Sequence, residues 1–135
     1  MRFAYLAETI RAAEAPLLEA QPGLLMQRAA TGLASVLLRD LRTLRGGAYG
    51  ARVLIVAGSG NNGGDALFAG AQLARRGVRV RAWLTSERAH EQGWAAFIGA
   101  GGRQLDALGA LAELGSSDLV VDGVLGIGGR AGLRE

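Results

Sequence analysis

Apolar side chains in the first 45 residues recur at intervals of three and four, the spacing of one face of a helix. The pattern predicts two helices, over residues 6–20 and 24–44, because Pro22 and Gly23 interrupt it between them. We expect the second helix to bury one side, made of Leu25, Ala29, Gly32, Leu33, Val36 and Leu37. A glycine cluster at residues 46–50 ends this helical region.

Beyond residue 50, short apolar runs alternate with segments of helical period. Strands are predicted at residues 52–57, 78–84 and 118–122. Helices are predicted at residues 65–76, with Gly77 as the C-terminal cap, at 88–98 and, as a short candidate, at 105–114. This alternation indicates parallel strands joined by right-handed crossovers. We therefore expect one α/β domain over residues 1–135, a Rossmann-like three-layer αβα sandwich with a mainly parallel sheet and additional N-terminal helices.

The stretch AGSGNNGGDA, residues 57–66, follows the first predicted strand directly. Ligands of open parallel sheets bind at the carboxyl ends of the strands, and this loop lies at one such end. Gly58, Gly60 and Gly63 satisfy the G-x-G-x-x-G dinucleotide pattern. That pattern also requires an acidic residue at the end of the second strand, where Thr85 and Ser86 stand instead. The dinucleotide match is therefore weak, and the absence of G-K-[ST] excludes an ordinary P-loop.

Two asparagines inside a glycine loop suggest a more specific ligand site, formed by Asn61, Asn62, Gly63, Gly64 and Asp65. Glycine lets the backbone approach a ligand closely, and the N-terminus of the following helix offers N–H groups to an anion such as a phosphate. An amide oxygen is a suitable ligand for a hard cation such as K⁺. Two simpler interpretations remain open, because Asp65 is also a suitable helix cap and asparagine is common in turns.

A second candidate site is the stretch DLVVDGVLGIGGRAGLRE, residues 118–135. Its predicted strand ends in Asp122, and a glycine-rich loop follows. If this strand lies next to the first one, both loops open on the same edge of the sheet and Asp122 points toward the asparagine loop. A carboxylate there is suited to ligate a cation, orient a ribose or act as a general base, or it caps the next loop.

Composition excludes several chemistries. All 15 basic residues are arginine, so no lysine serves as a Schiff base or P-loop residue, and there is no cysteine. The one histidine, His90, lies in a polar stretch and is interpreted as a solvated helix residue. The net charge is +3, but the arginines form no run, so nucleic-acid binding is not favoured. No apolar run is long enough to span a membrane, and we expect a cytoplasmic protein.

Three stretches resemble the NAD(P)H-hydrate epimerases, also called the YjeF N-terminal domain. LLMQRAATGLA (24–34) is similar to that family's "LMxRAG" segment, AGSGNNGGDALFAGAQLARRG (57–77) to its "GxGNNGGDGxxxARxL" signature, and DLVVDGVLGIG (118–128) to its "DxxVDAxxGxG" segment. They occur in the family's order, and the asparagine–glycine signature is specific.

The resemblance implies an isomerase that interconverts the R and S forms of hydrated NADH and NADPH (NADHX and NADPHX). Asn61 to Asp65 correspond to the family's first substrate-binding loop. The second loop corresponds to Gly126, Ile127, Gly128, Gly129, Arg130, Ala131 and Gly132. Asn62 and Asp122 match its K⁺ ligands, and Asp122 is the candidate catalytic acid or base. The implied partners are an ADP- or ATP-dependent NAD(P)H-hydrate dehydratase, free or fused at the C-terminus, and a second copy in a homodimer.

The sequence departs from the family pattern at two places. Ala66 stands where the family usually has glycine, which puts a methyl group at the start of a helix. The family also continues into a "VDxPSGxD" segment, which supplies a substrate-binding Asp and a K⁺-binding Ser, and nothing here matches it. We therefore expect a domain that lacks its C-terminal strands, either a fragment of a longer protein or a shortened product with an exposed sheet edge.

Two functional hypotheses follow. One is an epimerase, or the N-terminal part of one. The other is a non-catalytic nucleotide- or protein-binding module derived from this domain. A plain NAD-dependent dehydrogenase is disfavoured, because the second strand lacks the terminal acidic residue and no positioned His, Lys or Tyr is available for hydride transfer.

Overall fold

The computed structural model of the protein describes residues 3–126. Its helices and strands are, in chain order, α1 (Ala7–Ala20), α2 (Leu24–Arg45), β1 (Arg52–Ala57), α3 (Asn61–Arg75), β2 (Arg79–Leu84), α4 (Glu91–Gly99), β3 (Arg103–Leu105), α5 (Ala107–Leu114) and β4 (Leu119–Gly123). Within this part of the chain, no helix combines the length and the apolar character that crossing a bilayer requires.

The four strands form one parallel sheet in the order β3-β2-β1-β4. The chain moves outward from β1 through α3, β2 and α4 to β3, and then returns across the sheet through α5 to β4. Because right-handed crossovers in opposite directions lie on opposite faces, α3 and α4 cover one face and α5 the other. An ion pair between Arg79 of β2 and Glu113 of α5, with N···O 3.7 Å, joins α5 to its face. The α/β fold and the position of the last strand beside the first are confirmed.

The core lies between the sheet and the helices α2, α3 and α4. Phe97 of α4 is fully buried, and Gly70 of α3 provides space for it beside Ile55 of β1. A methyl group on Gly70 would lie 2.5 Å from the Ile55 side chain and 3.2 Å from the Phe97 ring. The glycine therefore sets how closely α3 and α4 approach the sheet.

The buried side of α2 differs from the predicted one. The structure buries Ala30, Ala34, Leu37 and Leu41, whereas Ala29, Gly32 and Val36 are exposed. Small side chains let α2 lie close to α3, where Gln72 donates a hydrogen bond to the Thr31 hydroxyl at 3.1 Å. Leu37 belongs to both sets, and the buried alanines follow the predicted Ala29 and Leu33 by one residue, because the contacts of α2 with α3 and the sheet determine which side of the helix faces inward.

The strand β3 was not predicted, since residues 105–114 were interpreted as one short helix. Two of its three residues, Arg103 and Gln104, are polar and exposed, as suits an edge strand. The helix begins only after Asp106, whose carboxylate accepts a hydrogen bond from the Gly109 N–H at 2.7 Å. Gly77 does lie in the left-handed region, with φ of +82°, at the end of α3 as predicted.

Phe97→Ala tests the core. We expect it to lower the free energy of unfolding by about 3–5 kcal/mol, because it removes a fully buried ring and leaves a cavity. The matched control is Ile98→Ala, since the neighbouring Ile98 is 45% exposed and should cost less than about 1 kcal/mol. Urea unfolding measures both variants. Equal losses at the two positions would contradict this description of the core.

Candidate functional site

Both glycine loops leave the sheet side by side, at the carboxyl ends of β1 and β4. Ala57 pairs with Gly123 at the end of the ladder, and the Gly58 N–H donates to the Gly123 carbonyl at 3.0 Å. The chain leaves β1 through α3 on one face of the sheet and reaches β4 through α5 on the other face. The crevice between β1 and β4 is therefore the switch point at which open α/β sheets bind ligands. The topology thus brings together the two candidate sites of the sequence.

Helix α3 begins inside the asparagine–glycine loop, four residues earlier than predicted. It starts at Asn61, and no side chain caps it at Gly60. The N–H groups of Asn61, Asn62 and Gly63 therefore have no acceptor within the helix and are available to an anion. Asp65 lies in the second turn, so the interpretation of Asp65 as the helix cap is wrong.

Three segments of main chain are stacked closely at this edge. A methyl group on Gly63 would overlap the Gly58 carbonyl, and one on Gly58 would overlap the Val124 carbonyl. The first turn of α3 thus lies on the end of β1, which in turn lies against the exit from β4. Two glycines with no space for a Cβ make this approach possible.

Asn62 ties α3 to the second loop. Its side-chain Nδ2 donates to the Leu125 carbonyl at 2.8 Å. A carbonyl only accepts hydrogen bonds, so the NH₂ group must face Leu125 and the amide oxygen is left for another partner. Gly126 lies on the same side, where a methyl group on it would be 3.5 Å from the Asn62 Cβ. The remaining predicted residues of the second loop, Ile127, Gly128, Gly129, Arg130, Ala131 and Gly132, lie outside the described residues.

Asp122 occupies the end of β4 and is exposed. Its Oδ1 accepts a hydrogen bond from the Val124 N–H at 3.0 Å, which turns the carboxylate toward the loop edge. Among residues 3–126 no hydrogen bond joins Asp122 to Asn62. Within residues 3–126, no hydrogen bond occupies the Asn62 amide oxygen or the second carboxylate oxygen of Asp122, and both are of the hard type that K⁺ accepts. K⁺ ligation by Asn62 and Asp122 stays a prediction.

Asp65 and His90 form a polar pair that the sequence did not reveal. The Asp65 Oδ1 is shielded from solvent and has no hydrogen-bond partner among the described residues. Burial raises the pKa of this carboxyl, nearby His90 lowers it, and Glu14 of α1 raises it. This carboxylate is therefore held in an environment that opposes its charge.

His90 is a half-buried cap, so its interpretation as a solvated helix residue is wrong. Its Nδ1 accepts a hydrogen bond from the Gly93 N–H at 3.1 Å at the start of α4. The His90 ring lies over Gly64, where an added methyl group would be 2.7 Å from the ring. It also packs edge-on against the Phe68 ring, with 5.9 Å between the ring centroids. A polar residue directly before a helix was the available signal, although histidine is a less common cap than Ser, Thr, Asp or Asn.

Ala66, the departure from the family signature, faces β4 and not the loop edge. It is buried, and a methyl group on Gly123 would lie 2.9 Å from its Cβ. The family pattern quoted above has glycine at the position of Ala66 and alanine at that of Gly123. This chain therefore carries one methyl group in the same space, supplied by the helix instead of the strand.

Comparison with known proteins identifies the family. The family described as "YjeF-related protein N-terminus" matches residues 23–135. The bifunctional NAD(P)H-hydrate repair enzyme Nnr of Mycobacterium tuberculosis is 49% identical over 136 residues, which are 99% of this chain and 28% of that protein. NAD(P)H-hydrate epimerase of Microbacterium testaceum is 45% identical over 132 residues, which are 97% of this chain and 49% of that protein. This chain thus spans half or less of the length of these two relatives.

A solved structure shows the same fold. The crystal structure of yeast ynu0, YNL200c, superimposes with a TM-score of 0.76 at 24% identity, and the match covers 98% of this chain and 61% of the yeast chain. The α/β architecture described above is therefore that of the yeast protein.

The Ala66–Gly123 contact predicts coupled effects on stability. Gly123→Ala places two methyl groups in one space, so we expect it to lower the free energy of unfolding by about 1–3 kcal/mol. In an Ala66→Gly background, Gly123→Ala should lower the free energy of unfolding by at least about 1 kcal/mol less, because the facing methyl group is gone. A double-mutant cycle in urea measures this coupling. Additive effects would show that the two positions do not share the space.

Asp65 predicts a pH-dependent stability. Its raised pKa means that the folded protein binds the proton more tightly than the unfolded chain, so ionisation at neutral pH opposes folding. We expect Asp65→Asn to raise the urea midpoint at neutral pH. The gain should shrink as the pH falls through the raised pKa toward the ordinary value of 3.8, below which the carboxyl is protonated in both states.

The control for Asp65→Asn is Glu87→Gln, which neutralises an exposed carboxylate in the loop after β2. It should leave the midpoint nearly unchanged across the same pH range. An Asp65→Asn gain that persists undiminished in acid would contradict burial as the cause.

Proposed function

Because the chain belongs to the family of YjeF-related protein N-termini, we propose that it binds hydrated NADH and NADPH and provides NAD(P)H-hydrate epimerase activity, that is, interconversion of their R and S forms. Relatives that carry the name NAD(P)H-hydrate epimerase support this proposal, and so do those named bifunctional repair enzymes. A bifunctional relative also suggests the partner activity, an ADP- or ATP-dependent dehydratase that acts on the S form.

The observation that carries the proposal is the contact between Asn62 and the Leu125 carbonyl. It holds the anion-binding start of α3 against the loop after β4, so that one ligand can touch both. In the proposed complex a substrate phosphate accepts hydrogen bonds from the free N–H groups of Asn61, Asn62 and Gly63. In this proposal residues 126–132 also contribute to binding of the same nucleotide.

The residues at the loop edge fit a K⁺ ion, with the Asn62 amide oxygen and an Asp122 carboxylate oxygen as ligands. A bound K⁺ would supply a fixed positive charge beside the anionic substrate. Asp122 is the candidate acid or base at the epimerised carbon, since it is exposed at the edge and one of its oxygens is already oriented by Val124. In this proposal holding the cation and moving the proton are the two tasks of one carboxylate.

A non-catalytic binding module is the alternative. Its supporting observation is the outer side of α5, where Leu108 and Leu111 are 77% and 69% exposed. Exposed apolar side chains of this kind are typical of a surface that another protein segment covers. Tight binding to a protein, together with no affinity for nicotinamide nucleotides, would favour this alternative.

The two neighbouring asparagines allow a matched test of the epimerase. We expect the chain to accelerate interconversion of the NADPHX epimers in a K⁺-dependent manner. Asn62→Ala should raise the K⁺ concentration for half-maximal rate about tenfold or more, the equivalent of roughly 1.4 kcal/mol of lost binding. Asn61→Ala should leave that concentration nearly unchanged, because Asn61 does not contact the β4 loop through a described hydrogen bond. Epimer ratios followed by chromatography give the rates.

Two results would count against this assignment. Equal K⁺ dependence in both asparagine variants would remove Asn62 from the ion site. A rate equal to the uncatalysed one, in a chain that is folded and binds the nucleotide, would remove the activity from this chain.

A further inference from the structure

A second pocket opens on the other side of α3. It has a volume of about 250 Å³ and lies between the α1–α2 turn, the start of α3 and the start of α4. Its apolar and aromatic lining includes Met26, Phe68 and His90. Three primary amides complete it, those of Gln27, Asn61 and Gln92. The pocket is thus built from three segments that are far apart in the sequence, within residues 18–27, 61–68 and 90–92.

The pocket adjoins the candidate substrate loop through one face of α3. Residues 61, 64, 65 and 68 recur at intervals of three and four and therefore share this face. The contacts agree, because both Gly64 and Phe68 meet the His90 ring. Asn62 and Ala66 belong to the other face, against Leu125 and Gly123. The NNGGD segment therefore has two faces, and its two asparagines serve different surroundings.

The chemistry of the lining indicates the class of ligand. Phe68 and His90 offer ring surfaces and Met26 a polarisable thioether, which suit a flat aromatic ring. Primary amides both donate and accept hydrogen bonds, as the edge of a base requires. In residues 3–126 no side-chain hydrogen bond to protein occupies Gln27, Asn61 or Gln92.

The charge of the lining argues against a phosphate in this position. No Arg, Asp or Glu side chain lines the pocket among the described residues, and His90 is its single titratable group. The N–H groups suited to a phosphate are those at the start of α3, next to Asn61. One nucleotide would thus place its phosphate at the helix end and its uncharged base in the pocket.

We propose that the pocket between Met26, Phe68 and His90 binds the base of a nucleotide whose phosphate contacts the start of α3. The inference rests on the proposed function, because the nucleotide is a hydrated nicotinamide dinucleotide. Such a dinucleotide has two rings: a flat aromatic adenine, which the ring surfaces of Phe68 and His90 suit, and a partly saturated hydrated nicotinamide, whose carboxamide the three primary amides suit. The experiment distinguishes them.

The test uses the 135-residue chain with two probes, AMP and reduced nicotinamide mononucleotide, whose nicotinamide ring is uncharged, at millimolar concentration in calorimetric titrations. In Met26→Trp the larger ring fills the pocket from α2. We expect this variant to bind one probe about tenfold or more weakly, because the base no longer stacks on Phe68 and His90. The matched control is Val36→Trp, which adds the same ring to an exposed position of α2 and should change affinity less than about twofold. Thermal unfolding verifies that both variants are folded.

A second measurement needs no substitution. In the unaltered chain, nuclear Overhauser effects should join the protons of the bound base to the Phe68 ring. Weakened binding of AMP with such contacts assigns the pocket to adenine, and the same result with the nicotinamide mononucleotide assigns it to the reacting ring. Each result supports the inference.

Three results would overturn it: neither probe binds; both bind but are insensitive to Met26→Trp and show no contact with Phe68; or Met26→Trp changes only the association state of the chain. The epimerase assay is separate from these outcomes. Epimerisation that continues while the probes avoid the pocket would reject the base site and keep the proposed function. A probe that binds in the pocket of a chain without epimerase activity would keep the base site and reject the proposed function.

Discussion

The close stacking of three main-chain segments at the carboxyl edge of the sheet is the constraint on which the rest of the structure depends. Gly63 lies on Gly58, and Gly58 lies on Val124, with no room for a side chain between them. This approach starts α3 at Asn61 and aims its free N–H groups at the crevice. It also lets Asn62 reach the Leu125 carbonyl, which joins two loops that are about sixty residues apart in the sequence. The site follows from a backbone arrangement that only glycine permits.

The same arrangement accounts for Ala66, which departs from the family pattern, and for the unfavourable burial of Asp65. Ala66 does not crowd the ligand side, because it fills the space that Gly123 leaves on β4. Among residues 3–126 no group hydrogen-bonds the shielded Oδ1 of Asp65, and burial raises the pKa of this carboxyl, so its ionisation at neutral pH opposes folding. Unfavourable burial of a carboxylate beside a binding loop is typical of a site in which function limits stability. The shared face of α3 then extends the site toward Phe68 and the pocket at α2.

The sequence predicted the parts of the fold that depend on local pattern. Continuous apolar runs in β1 and β4 and the specific NNGGD segment located the sheet, the switch point and the loop. The strand β3 was missed because its edge position leaves Arg103 and Gln104 exposed, and a polar triplet carries no strand pattern. The buried side of α2 and the role of His90 depend on which helix lies opposite, and a single sequence does not contain that information. The Leu125 carbonyl is a main-chain group, so no residue type could have revealed it.

The central claim is that the start of α3 and the loop after β4 form one ligand site. The most direct test is to follow the backbone amide signals of the ¹⁵N-labelled chain during titration with NADPHX in K⁺ buffer. The account predicts that the amides of residues 61–63 and those of residues 124–126 shift together, with one common apparent Kd. Shifts confined to one of the two segments, or two segments that saturate at different concentrations, would contradict it.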